Sequence, residues 1–132
     1  MIVDDLKDII LGYRKVKGKT QEELAEELGV PKDVISAIEC GTFKHLNPSL
    51  KKKIDELLKG YDKSELAAIG RGYRLQDNLG PDFKYYLEGL SKKEGIKTEE
   101  LKKMPELELY KFIGKTPYDY VELIFEGAKS AT

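Results

Sequence analysis

Residues Thr20 to Gly41 read TQEELAEELGVPKDVISAIECG, and this stretch decides how the rest of the chain is read. Its pattern predicts two short helices joined by a tight turn. Thr20 and Glu23 stand at capping-box spacing, a hydroxyl to accept the N3 amide and a carboxylate to reach back. Leu24, Ala25 and Leu28 then fall on one helical face. Gly29 suits the left-handed position that ends a helix. Val30 follows as a buried plug, and Pro31 opens the next helix, where it needs no donor. Ile35 and Ile38, three apart, supply the second buried stripe, and Gly41 stops it.

On the N-terminal side, Asp4 or Asp5 can cap a first helix. Its Leu6, Ile9, Ile10, Tyr13 and Val16 recur at helical spacing, and Gly18 ends it. On the C-terminal side, Thr42 to Asn47 (TFKHLN) reads as a loop, and Asn47-Pro48-Ser49-Leu50 as a helix start. Leu50, Ile54, Leu57 and Leu58 complete a small core.

These elements resemble the helix-turn-helix of the phage-repressor class, the XRE/Cro-like family, over residues 4 to about 60. The resemblance is carried by TQEEL at Thr20 to Leu24, the Leu28-Gly29-Val30 turn, Ile35-Ser36, Ile38-Glu39 and Gly41, with Asn47 to Leu50 as a further family-like start. It implies a five-helix, lambda-repressor-like domain whose recognition helix spans residues 31 to 40. It also implies that Arg14 pairs with Glu39, since a guanidinium and a carboxylate satisfy each other where neither could be buried alone. Lys32, Asp33, Ser36 and Ala37 then occupy positions that face base edges in the major groove. Lys32 could donate to guanine and Asp33 could accept from cytosine. Proline at 31, alanine at 37 and cysteine at 40 depart from the polar residues common in the family, so modest discrimination per subunit is expected.

Phosphate contacts are expected around that helix. Gln21 lies at a helix N-terminus, where amides favour anions. Lys44, His45 and Asn47 can donate from the loop. Lys51, Lys52 and Lys53 open the next helix against its dipole. Facing DNA would explain that cost; a solvated lysine face is the other reading.

The composition narrows the class. The chain has 132 residues and a formal net charge of −1, enough for one or two small domains without a bulk attraction to phosphate. No apolar run approaches the roughly 20 residues of a membrane span, and the acidic start MIVDDLKDII lacks the basic opening of a signal peptide. A cytoplasmic protein is expected. Cys40 is the one cysteine and His45 the one histidine, which leaves no disulfide, zinc cluster or catalytic triad to build. With no phosphate-binding glycine loop either, an enzyme is not expected and no cofactor is implied. The Lys/Glu-rich, amide-poor balance is the one that high temperature selects, and a melting temperature below about 60 °C would argue against it.

Gly60 and Tyr61 mark a boundary between residues 1–60, read as the DNA-binding domain, and 61–132, read as a helical oligomerisation or regulatory domain of three to four helices. Asp62 with Glu65 can cap a helix carrying Leu66, Ile69 and Tyr73, within which Gly70 and Gly72 allow close packing or a kink. Phe83, Tyr86, Leu87 and Leu90 form the next stripe, ended by Gly95. Short segments follow around Leu101 and Ile113, separated by Pro105. Thr116-Pro117 reads as the cap of a last helix with Tyr118, Val121, Ile124 and Phe125 on its apolar face. No alternating strand pattern is present, so the chain is expected to be all-α. The echo of GKTQEEL (18–24) in GIKTEEL (95–101) is set aside, because Pro105 falls where the second copy would need its turn.

The function expected is a sequence-specific DNA-binding regulator, a repressor that binds double-stranded DNA. Paired half-sites about 34 Å apart demand a dimer. A homodimer through residues 61–132 is therefore expected, with Tyr118, Val121, Ile124 and Phe125 as its candidate surface. The alternative is a protein-interaction module, such as an antitoxin or a regulator-binding subunit, on the same scaffold.

Overall fold

A computed structural model describes residues 3–43 and 45–130, with side chains from 5 to 129. Among these residues every regular element is helical. The order is α1 (Val3–Lys17), α2 (Gln21–Leu28), α3 (Lys32–Cys40), α4 (Pro48–Leu57) and α5 (Lys63–Leu79), a 3-10 turn (Gly80–Asp82), then α6 (Phe83–Glu94), α7 (Thr98–Lys103), α8 (Glu106–Gly114) and α9 (Tyr120–Ser130). An N-terminal group of short helices is thus followed by further helices. Asp5 lies inside α1 rather than ahead of it, and Asp4 falls outside the described side chains.

Two apolar cores form. The first joins Leu6, Ile9, Ile10 and Tyr13 of α1 to Leu24 and Leu28 of α2, Ile35 and Ile38 of α3, and Leu50 and Ile54 of α4. The second gathers Ile69 and Tyr73 of α5, Tyr86, Leu87 and Leu90 of α6, Tyr110 and Ile113 of α8, and Leu123 of α9. Two helices serve both. Leu11 of α1 reaches the second core, while Leu66 and Ala67 of α5 belong to the first.

Glycine sets how closely the long helices approach. A Cβ on Gly12 would stand 1.9 Å from the carbonyl oxygen of Leu66, and one on Gly70 would stand 2.0 Å from that of Asp8. Numbering rises along α1 as it falls along α5, so the pair is antiparallel with one glycine contributed by each helix. The same reciprocal device joins α5 to α8, through Gly72 on Tyr110 and Gly114 on Ala68, and α6 to α9, through Gly89 on Leu123 and Gly127 on Tyr85. Gly70 and Gly72 therefore serve close packing. Gly114, the last residue of α8, packs against the backbone of α5.

Two capping assignments differ from those the sequence predicts. Pro31 is the N-cap of α3, which starts at Lys32. The Thr116 hydroxyl donates back to the Phe112 carbonyl and so closes α8, while the Asp119 carboxylate accepts the Val121 amide at 2.8 Å. The last helix consequently starts at Tyr120, not at Tyr118.

Candidate nucleic-acid interface

Thr20 and Glu23 fasten the start of α2. The Glu23 amide donates to Thr20 Oγ1 at 3.1 Å, and the Thr20 amide donates to Glu23 Oε1 at 3.0 Å. The turn then needs a left-handed residue, and Gly29 takes it with φ 68° and ψ 37°. The Val30 amide closes the turn onto the Ala25 carbonyl at 3.0 Å. Because proline has no capping side chain, the first turn of α3 carries no side-chain cap. Its leading amides therefore stay open to an anion.

A single carboxylate ties three helices together at this site. Glu39 of α3 is buried at 6 % exposure. Arg14 of α1 meets it with two parallel bonds, Nε to Oε2 at 2.8 Å and Nη2 to Oε1 at 2.9 Å. Arg14 Nη1 also donates to the Lys19 carbonyl at 3.2 Å, and Gln21 Nε2 of α2 donates to Glu39 Oε1 at 3.1 Å. The bond to Glu39 holds the Arg14 guanidinium protonated even more firmly than usual. The structure thus brings Arg14 and Glu39 together and adds Gln21 to them.

The helix-turn-helix family model matches residues 11–66. These residues form a helix-turn-helix domain. The match starts within α1 and stops within α5, the two helices that serve both cores. Domains of this family are of a DNA-binding regulatory kind. No curated protein and no solved structure matches the chain.

Within the helix-turn-helix domain, Lys32 and Asp33 are exposed and Ser36 and Ala37 half-exposed, on the side of α3 away from Ile35 and Ile38. Cys40 is exposed at the end of α3. Lys32 is not alone. Its Nζ lies 2.9 Å from Glu22 Oε1 at the start of α2. That contact raises the Lys32 pKa and lowers that of Glu22. The capping pattern accounted for Glu23, so Glu22 had no assigned role; only the side-by-side starts of α2 and α3 bring it to Lys32.

The expected phosphate contacts divide. Gln21 turns one amide hydrogen inward to Glu39 and carries a second. Asn47 uses Oδ1 to accept the Leu50 amide at 2.8 Å, capping α4, and its nitrogen remains a donor. His45 and Lys51 are exposed, and Lys44 lies outside the described residues. Lys53 departs from the others. Its Nζ donates to the Leu28 carbonyl at 3.2 Å, so it closes the C-terminus of α2 rather than facing outward beside Gln21. Lys52 and Lys53 line a groove with Glu26, Glu27 and Glu56.

Among the described residues no helix is long and apolar enough to cross a membrane. Among the described residues, the large apolar side chains that stand exposed lie between residues 118 and 125: Tyr118, Tyr120, Val121 and Phe125. Ile124 is half-buried against the second core.

Proposed function

We propose that this chain is a sequence-specific DNA-binding transcriptional repressor that acts as a homodimer and reads the major groove with α3. The observation that carries this reading is the outward face of α3 at residues 32, 33, 36 and 37, held in place by the Arg14–Glu39 pair within a helix-turn-helix domain. Lys32 donates to guanine O6 and N7, and Asp33 accepts from cytosine N4. Gln21, His45, Asn47 and Lys51 hold phosphates. Residues 1–60 supply the reading surface and 61–132 the dimer contact. Tyr118, Val121 and Phe125, with Ile124 beside them, form that contact, because two half-sites about 34 Å apart need two linked subunits.

Fluorescence anisotropy of a labelled random duplex, titrated at two salt concentrations, is the test. The expected result is binding that weakens log-linearly with salt, with several phosphates contacted per subunit. Lys51→Ala should weaken every sequence alike, whereas Lys32→Ala should lower discrimination against random DNA. Equal losses on a selected site and on random DNA for Lys32→Ala would reject the role given to Lys32.

A protein-interaction module is the second reading, and two observations favour it. Glu22 neutralises Lys32, and Lys53 is spent on the end of α2. No DNA binding even at low salt would establish this reading over the first.

A further inference from the structure

Arg71 and Arg74 stand one turn apart on α5, and both line an open groove of about 380 Å³ among α1, α5 and α8. Each guanidinium is anchored through Nε. Arg71 Nε donates to the Gly114 carbonyl at 3.1 Å, and Arg74 Nε donates to Asp8 Oδ1 at 3.0 Å. Arg74 Nη2 donates further to the Lys7 carbonyl at 3.4 Å. Both terminal nitrogens of Arg71 and Nη1 of Arg74 remain uncommitted. Lys7 lines the same groove, and Asn78 adds a neutral amide. Asp8 is the one acid among the described residues of the lining; it is 6 % exposed and already bonded to Arg74. Three cations against one acid leave an excess of two positive charges, in a chain whose net charge is −1.

We propose that this groove binds a compact, doubly charged oxyanion, the phosphate of a small molecule. Anchored guanidinium forks match phosphate oxygens in both geometry and charge, and their orientation is set before the ligand arrives. The excess of two charges fits a phosphate monoester better than the singly charged diester of a nucleic-acid backbone. Lys7 links the groove to α3. Its Cδ lies 3.3 Å from where a Cβ on Gly41 would stand, and Gly41 ends α3. An anion that draws the Lys7 ammonium therefore acts beside the end of the recognition helix. That coupling rests on the DNA-reading function proposed above; the binding itself does not.

Titration calorimetry of the full chain with inorganic phosphate at constant ionic strength tests the site. Binding should strengthen as pH rises through the second ionisation of inorganic phosphate, which lies near neutrality, because the dianion matches the charge of the groove. Lys7→Gln and Arg71→Gln each remove a cation that does not partner Asp8. Each should weaken phosphate binding by roughly tenfold with little change in melting temperature. Undiminished affinity in both variants, or no phosphate binding at millimolar concentration, overturns the proposal. Displacement of phosphate by a DNA duplex also overturns it, since the groove would then be a backbone contact. Phosphate binding that survives in a protein with no affinity for DNA upholds this site while rejecting the function above.

Discussion

Glu39 keeps its carboxylate at 6 % exposure because three donors meet it, two from Arg14 and one from Gln21. Removing Arg14 leaves a buried charge with one partner, so Arg14→Ala should cost about 3–5 kcal/mol. Urea denaturation reads that loss as a lowered midpoint at unchanged slope. The double variant Arg14→Ala/Glu39→Ala should recover part of it, since the stranded charge goes as well. Tyr73 sets a second residue-scale expectation. Burial first, then nearby Glu106, pushes its hydroxyl up to about 12 from 10.0. The folded state thus keeps a proton that the unfolded chain releases near pH 10. This contribution to stability is full below pH 10 and is lost as pH rises from there to about 12. A phenolate absorbance titration should show that at least one tyrosine resists ionisation until the chain unfolds.

At the scale of elements, the helix pairs are set by paired glycines rather than by large side chains. A Cβ on Gly72 would stand 2.1 Å from the Tyr110 carbonyl oxygen. The atoms it would meet all belong to the Tyr110 backbone, so α5 and α8 must separate to admit it. Helix propensity alone predicts that Gly72→Ala stabilises by about 1 kcal/mol. Packing predicts the opposite sign and a loss of roughly 1–3 kcal/mol or more. A melting temperature below that of the parent protein would decide for packing; a higher one would reject the close approach. The Tyr73 and Tyr110 rings, stacked at 4.1 Å between centroids, should lose their contact in the same variant.

For the whole molecule, α1 and α5 couple the two cores, and the bond of Arg74 to the buried Asp8 at 3.0 Å joins the same two helices. The helix-turn-helix domain is therefore braced along α1 by a helix that also builds the second core. The exposed apolar side chains sit far along the chain from this junction, on and just before α9. Phe125 is the most exposed of them at 66 %, so Phe125→Ser costs little in folding. In sedimentation it should shift a dimeric species toward monomer and weaken specific DNA binding in step. A sedimentation profile equal to that of the parent would remove α9 from the proposed interface.

The local punctuation was legible in the sequence. Capping at Thr20, the left-handed turn at Gly29, the apolar stripes of α1 to α4 and the cap at Asp62 each depend on neighbours within a few residues. What escaped that reading depends on partners distant in sequence. Leu123 is fully buried, yet it shares its helix face with Gly127, which offers no apolar side chain to a periodicity count. Thr116 closes α8 instead of opening α9, because the Asp119 carboxylate accepts the Val121 amide at the start of α9. Asp8 reads as one of many surface acids until α5 brings Arg74 to it, and Glu22 and Lys53 find their partners only once α2, α3 and α4 are packed. Apart from the starts of α1 and α3, the sequence alone determined where the helices of the helix-turn-helix domain begin and end, because short-range hydrogen bonds and the 3.6-residue period suffice for that. Apart from Arg14 and Glu39, whose pairing the family resemblance implied, tertiary structure alone decided which charges are spent and which remain on the surface, because an ion pair depends on separation in space rather than along the chain.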